Sequence, residues 1–178
     1  MSSPDSKGLL AGPWYWRKAL LWYALAAVII ASDLVSKAWA LASFEYAQPV
    51  EVTPFFDWLL LYNYGAAFSF LSDESGWQRW FFSGIAFVVS GMLVVWLARI
   101  SPKQRWEPFA LALILGGALG NLYDRLTLGY VVDFISLHYQ QHRWPSFNIA
   151  DSAICVGAVM LLIDLWRHKE ESDKDSAS

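Results

Sequence analysis

Three aspartates lie where hydrophobic stretches of this chain begin or end, and their side chains could do acid/base chemistry. Asp124 and Asp133 follow the third hydrophobic stretch, and Asp151 opens the fourth. A carboxyl group close to membrane hydrocarbon is costly and therefore indicates function. If these two stretches form a helical hairpin through a bilayer, all three carboxyl groups lie at one membrane face. A pair of carboxyl groups could then activate water, since one accepts a proton from water while the other donates to a substrate carbonyl.

The spacing of the polar residues leaves open which aspartate acts together with Asp151. Asp133 lies in an apolar run with no lysine or arginine within seven positions, so we expect burial to raise its pKa. The pattern Asn-x-x-Asp occurs twice, from Asn121 to Asp124 and from Asn148 to Asp151. The second copy fits a structural role equally well, with Asn148 capping the fourth helix. The repeated pattern favours Asp124 as the partner, whereas the local electrostatics favour Asp133.

The composition indicates a membrane protein. Hydrophobic residues make up 56% of the 178 residues and charged residues 16%, which is too apolar for an ordinary soluble domain. The uncharged run 80–98 would cover roughly 28 Å as a helix, about the thickness of a hydrocarbon core. Three further stretches, at about 19–39, 108–128 and 150–166, can span if their polar residues face other helices. We therefore predict an all-α polytopic membrane protein with four transmembrane helices. A single membrane-embedded domain, 1–178, ends in a charged cytoplasmic tail, 167–178.

The segment between the first two spans predicts a small β-rich element on the outer, periplasmic side. Residues 50–53 alternate between apolar and polar, and 55–58 are rich in aromatic residues. Pro49, Pro54 and Gly65 interrupt the segment and argue against a continuous helix. Short strands resting on the membrane are expected here.

The distribution of basic residues predicts the orientation. With four spans, both termini share one side with nine basic residues: Lys7, Arg17, Lys18, Arg99, Lys103, Arg105, Arg167, Lys169 and Lys174. Only Lys37, Arg79, Arg125 and Arg143 lie opposite. By the positive-inside rule both termini are cytoplasmic, which places the three aspartates near the periplasmic face.

Other functional classes fit less well. The net charge of −3 disfavours binding to nucleic acid, and the single cysteine excludes an intramolecular disulfide. His138 and His142 lack the adjacent Glu of a zinc-protease helix, so we expect no metal site and no organic cofactor. A small transporter that uses its carboxylates as a proton relay is the main rival. Transport predicts polar residues in the middle of the spans, whereas these acids gather at one end.

Five runs of sequence resemble the conserved boxes of lipoprotein signal peptidase, also called signal peptidase II. They are DLVSK at 33–37, NYGAAF at 63–68, GGALGNLYDR at 116–125, VVDF at 131–134 and FNIADS at 147–152. They occur in the order of the family and extend from the first span to the fourth. Five such boxes are far more specific than one short motif.

The resemblance implies an aspartic dyad formed by Asp133 and Asp151. It implies substrate-binding roles for Asn63, Asn121, Arg125 and Asn148, although buried polar residues between helices are often structural. The supporting positions are Asp33, Lys37, Gly65, Gly116, Gly120, Asp124 and Ala150. Asp33 and Lys37 are spaced to pair on one helix face, and the Gly116-x-x-x-Gly120 spacing is typical of close helix packing.

The resemblance also implies the reaction. Such enzymes are membrane aspartic endopeptidases that remove the signal peptide from diacylglyceryl-modified bacterial prolipoproteins, cutting before the lipidated cysteine. The expected location is the bacterial cytoplasmic (inner) membrane, and the expected partners are the prolipoprotein substrate and membrane lipids. We expect a monomer.

Overall fold

Four helices and four strands form the described part of the chain. The structure is a computed structural model that describes residues 14–65, 76–140 and 142–176, with side chains up to residue 167. Its elements, in chain order, are α1 (Trp16–Ser43), β1 (Val50–Thr53), β2 (Phe56–Asn63), α2 (Trp77–Arg99), α3 (Trp106–Thr127), β3 (Val131–Tyr139), β4 (His142–Arg143) and α4 (Ile149–Ser176). The helices begin within a few residues of the predicted starts. α4 continues through most of the charged tail, because neither glycine nor proline interrupts it after Gly157.

Three of the described helices are long and apolar enough to cross a membrane: Trp16–Ser43, Trp77–Arg99 and Ile149–Arg167. Their outward faces carry exposed large apolar side chains, among them Val35, Phe87 and Leu162. An apolar surface of this extent on several helices is typical of contact with lipid. α3 is less hydrophobic because its last turns carry Asn121, Asp124 and Arg125.

α3 lies at the centre of the bundle, where it packs against α1, α2 and α4. A buried core joins α1, α2 and α3 through Ala26, Leu93, Leu97, Leu111 and Leu115. Because protein surrounds α3, its polar residues can lie inside the bundle rather than in lipid.

Glycines on α3 allow the neighbouring helices to approach closely. A Cβ at position 116 would lie 2.7 Å from Ile29 Cβ, and one at position 120 would lie 2.6 Å from Asp33 Oδ2. The predicted packing role of Gly116 and Gly120 is therefore present, with α1 as the partner. Since α1 fills the space beside both glycines, they do not provide room for a lipid or peptide chain.

The predicted β element is present and is larger than predicted, since the connection between α3 and α4 also contributes strands to it. The four strands form one antiparallel sheet in the order β1-β2-β3-β4. Only β1 and β2 come from the connection between α1 and α2, whereas β3 and β4 come from the connection between α3 and α4. A second core, formed by Ala40, Leu60, Val132 and Phe134, joins the end of α1 to this sheet. The sheet thus ties together the two connections at one end of the bundle.

Candidate active site

Asp133 lies on β3, a few residues after the end of α3. The chain turns between the two elements at Gly129, whose φ of 91° is readily adopted only by glycine. Asp133 is 3% exposed, and its Oδ1 accepts a hydrogen bond from Asn148 Nδ2 at 2.8 Å. Its Oδ2 accepts a hydrogen bond from Asn63 Nδ2 at 3.1 Å. Both carboxyl oxygens are therefore held by amide donors from two other parts of the chain.

Asp151 lies in the first turn of α4 and is partly exposed. Its backbone N–H donates to Asn148 Oδ1 at 2.9 Å, and its Oδ2 accepts from the backbone N–H of Asn148 at 3.2 Å. This reciprocal pair has the form of a capping box. Its Oδ1 accepts a hydrogen bond from Asn121 Nδ2 at 2.7 Å. The capping role considered for the second Asn-x-x-Asp pattern is thus present, together with a contact to α3.

Asn148 connects the two aspartates. It is fully buried, and its Nδ2 lies within hydrogen-bond distance of Asp133 Oδ1, Asn121 Oδ1 and the carbonyl oxygen of Val132. Its backbone N–H donates to the carboxyl group of Asp151, so one residue contacts both carboxyl groups. A single residue, Asn148, therefore links Asp133 to Asp151, whereas Asp124 is connected to Asp151 only through Lys37 and Asn121.

Lys37 organises a second, fully buried cluster behind this pair. Its Nζ lies 2.7 Å from Asp33 Oδ2, 2.9 Å from Asp124 Oδ2 and 2.9 Å from Asn121 Oδ1. Its Nζ donates a hydrogen bond to Asn121, and the two carboxylates are its ion-pair partners. Asp33 Oδ1 accepts from the backbone N–H of Ala150 at 2.9 Å, which ties α1 to the start of α4. The expected Asp33–Lys37 pair is present. Lys37 also contacts Asp124 and Asn121, which was not predicted.

Arg125 holds the chain that follows β2. Its Nη2 donates to the carbonyl oxygen of Gly65 at 3.1 Å, and the N–H of Gly65 donates to Asn63 Oδ1 at 3.0 Å. Arg125 therefore already binds a peptide carbonyl, the type of group expected of a substrate. Asp124, the residue before it, instead pairs with Lys37 and accepts from the N–H of Val132 at 3.1 Å. Residues 66–68 of the NYGAAF run lie outside the described residues.

The surroundings of Asp133 raise its pKa to about 7. Burial is the main cause, because it disfavours the charged form, and the nearby Asp151 carboxylate adds repulsion. Hydrogen bonds from Asn63 and Asn148 oppose the increase. The direction agrees with the expectation from the apolar run around Asp133. At neutral pH, Asp133 can therefore both release and accept a proton.

A further group of charged residues on the sheet was not anticipated from the sequence. Asp57 on β2 accepts a hydrogen bond from Arg143 Nη2 at 2.7 Å, and its Oδ1 lies 3.2 Å from His138 Nε2. Burial alone would raise the pKa of Asp57, but the hydrogen bonds from Arg143 and His138 hold it below its usual value. The ion pairs fasten β2 to β3 and β4. Among the described residues, no group of three or more His, Cys, Asp or Glu is placed to hold a metal ion.

Comparison with known proteins gives the family of the chain. A family model described as signal peptidase (SPase) II matches residues 25–167. The chain belongs to the signal peptidase II family. It is therefore a peptidase, and its apolar helices make it a membrane protein.

Relatives and solved structures agree with this membership. The chain is 51% identical over 175 residues to a lipoprotein signal peptidase of Acinetobacter baumannii, with 98% of each chain covered. It is 46% identical to a lipoprotein signal peptidase of Vibrio cholerae, with 90% of this chain and 95% of the relative covered. A solved structure described as a bacterial membrane enzyme superimposes with a TM-score of 0.77 at 28% identity, covering 90% of this chain and 94% of the other. The fold of this signal peptidase II family member is thus also found in a solved membrane enzyme.

Proposed function

We propose that this chain removes signal peptides from diacylglyceryl-modified bacterial prolipoproteins, with Asp133 and Asp151 as its catalytic dyad. The observation that carries the assignment is Asn148, which caps Asp151 and at the same time donates to Asp133. Membership of the signal peptidase II family and the names of the relatives support the substrate class. The cut falls immediately before the lipidated cysteine.

The dyad shares one proton, so its two carboxyl groups titrate as a coupled pair. The ionised carboxylate takes a proton from the attacking water, while the protonated carboxyl donates to the oxygen of the scissile carbonyl. The resulting tetrahedral intermediate collapses as the C–N bond breaks. The proton taken from water passes to the departing amine of the lipidated cysteine, and the oxygen's proton returns to the dyad. No metal or organic cofactor takes part.

Four polar residues around the dyad bind the substrate backbone: Asn63, Asn121, Arg125 and Asn148. Arg125 donates to a substrate carbonyl as it does to the carbonyl of Gly65. Asn121 and Asn148 hold the carboxyl groups, since each donates to one of them. Asp33, Lys37 and Asp124 support the dyad from behind, and Ala150 connects them to α4.

The whole chain forms one membrane-embedded domain that acts as a monomer in the bacterial inner membrane. α3 also crosses the membrane, in addition to the three more apolar helices, since its 22 residues cover about 33 Å. Both termini are cytoplasmic, in accord with the nine basic residues on their side. The dyad and the sheet then lie near the periplasmic face. A substrate with a transmembrane signal helix and two acyl chains reaches the site laterally, within the bilayer.

The test is cleavage of a diacylglyceryl-modified prolipoprotein by purified protein in detergent, followed as a gel mobility shift. Asp133→Asn and Asp151→Asn should each abolish cleavage. Asp164→Asn makes the same chemical change about 20 Å further along α4 and should leave cleavage intact. Full activity of either dyad variant, or an equal loss in the control, would reject the assignment. Loss of activity on adding a chelator would indicate a metal instead.

A further inference from the structure

A cavity of about 370 Å³ lies at the end of the bundle opposite the aspartates. It is formed where α1 and α3 begin and where α2 ends. Arg17, Lys18 and Arg105 line it, together with the apolar side chains of Trp22 and Leu97. Its volume falls within the range of small-ligand sites. The cavity is thus part cationic and part apolar.

The cations of this cavity have no anionic partner among the side chains that the structure describes. None of the described lining residues is acidic, and none of the three basic side chains forms an ion pair with another described residue. α1 and α3 also begin here with Tyr15 and Arg105 as N-caps, and neither side chain caps its helix. The free N–H groups of a helix start add positive potential. Among the described residues, nothing compensates the positive charge of the cavity, and apolar side chains line it as well.

The position of the cavity indicates the kind of anion that it binds. Trp14, Trp16 and Trp106 are exposed at the same helix ends, where aromatic side chains mark the membrane–water interface. A cavity at this depth meets lipid headgroups, and basic pockets between membrane helices bind anionic headgroups. An anionic phospholipid supplies both a phosphate for the cations and apolar acyl chains for Trp22 and Leu97.

We propose that this cavity binds the phosphate headgroup of one anionic phospholipid, held by Arg17, Lys18 and Arg105. With the orientation proposed above, the lipid belongs to the cytoplasmic leaflet. The site lies on the other side of the membrane from the dyad, so its occupant is a structural lipid and not the substrate. Diffuse attraction of basic residues to an anionic membrane surface is the competing explanation, and it requires no defined site.

The experiment compares two variants from which the same positive charge has been removed. Arg17→Gln/Arg105→Gln removes two cations of the cavity, one from each of its helices. Lys103→Gln/Arg167→Gln removes two basic residues at the same end that do not line the cavity. Each purified protein is titrated in neutral detergent with phosphatidylglycerol, with phosphatidylcholine and with soluble glycerol 3-phosphate, and binding is followed by native mass spectrometry.

We expect one phosphatidylglycerol to bind to the unchanged protein and to the control variant. Binding to the cavity variant should be roughly 25-fold weaker, since each basic residue near an anionic lipid contributes about a factor of five. Phosphatidylcholine should bind weakly to all three proteins. Equal weakening in both variants would show diffuse attraction and overturn the proposal. Glycerol 3-phosphate binding as tightly as phosphatidylglycerol would also overturn it, because the site would then select free phosphates.

Discussion

Replacing Asp133 by asparagine should stabilise the protein at alkaline pH while it abolishes cleavage. The pKa of Asp133 is about 7, against an ordinary value of 3.8. This difference corresponds to about 4 kcal/mol, which is the cost of ionising the buried carboxyl group in the folded state. Because the group is 3% exposed, solvent screens this cost very little. Asparagine removes the ionisation altogether.

The sign of the effect depends on pH. Since the folded state holds the proton of Asp133 more tightly than the unfolded state, stability falls as the pH rises from about 4 to about 7. The Asp133→Asn variant loses about 1 kcal/mol of stability, because the amide N–H₂ of the new asparagine must face Asn148 or Asn63. Both of these are donors here. Above pH 7 the variant should therefore be more stable by about 3 kcal/mol. At pH 4, where ionisation of Asp133 already costs the wild type about 0.5 kcal/mol, the variant should be less stable by about 0.5 kcal/mol.

The measurement is the melting temperature of wild type and of Asp133→Asn in non-ionic detergent, from pH 4 to pH 9. The melting temperatures of wild type and Asp133→Asn should cross between pH 4 and pH 5 and separate by several degrees at pH 8. Asp164→Asn serves as the control, and its difference from wild type should not change sign. A constant offset between wild type and Asp133→Asn across this pH range would refute the reasoning, since it would show that Asp133 ionises without penalty.

The remaining predictions concern the pH dependence of cleavage, the helix contact and the buried lysine. The kcat/KM for a lipidated substrate should fall as the pH rises above about 7, because the shared proton is lost; a profile with no descending limb would contradict this. Gly120→Ala should lower the free energy of unfolding by about 1–3 kcal/mol, because its Cβ would lie 2.6 Å from Asp33 Oδ2. Gly84→Ala, where nothing lies within 4 Å, should leave it unchanged or raise it by up to about 1 kcal/mol; equal effects would reject the packing argument. Lys37→Met should lower the free energy of unfolding by about 3–5 kcal/mol, because it leaves two buried carboxylates unpaired. The exposed Lys103→Met should change it by less than about 0.5 kcal/mol, and denaturation in detergent would measure both.

The sequence predicted the helices well, because long apolar runs are a local signal. The predicted spans begin within a few residues of α1, α2, α3 and α4. The ends of the helices were predicted less accurately than their starts, since α4 extends to Ser176. α3 could be recognised as a helix, but with polar residues in its last turns it is not among the three helices apolar enough to cross a membrane.

β3 was not predicted as a strand, because what defines it is not local. Its residues 131–135 are apolar apart from Asp133, so they look like the continuation of a hydrophobic stretch. The strand forms by pairing with β2, where Asn63 lies opposite Val131, nearly 70 residues away in sequence. The run of β-branched and aromatic residues was the available signal. For the same reason, the contact between Asn63 and Asp133 could not be derived from spacing.

In the candidate site, too, local contacts could be predicted and long-range contacts could not. Asp33 and Lys37 lie four residues apart on one helix, so their pairing could be predicted. The contacts of Lys37 with Asp124 and Asn121 join α1 to α3 and depend on how the helices pack. Spacing alone could not choose between Asp124 and Asp133 as the neighbour of Asp151. The family resemblance supplied that choice, and the catalytic roles remain predictions until the variants are assayed.

The charge pair within α1 has a consequence for biosynthesis. α1 is made first, long before α3 and α4 can supply partners for Lys37 and Asp33. Because these two residues lie one turn apart and 2.7 Å from each other, the newly made helix can enter the bilayer with its opposite charges already neutralised. Asn148 and Ala150 are made after Asp33, Lys37 and Asp133, and only then can Asn148 link the two acids. With the dyad proposed above, a nascent chain is inactive until α4 has been inserted, so hydrolysis cannot begin within an incomplete enzyme.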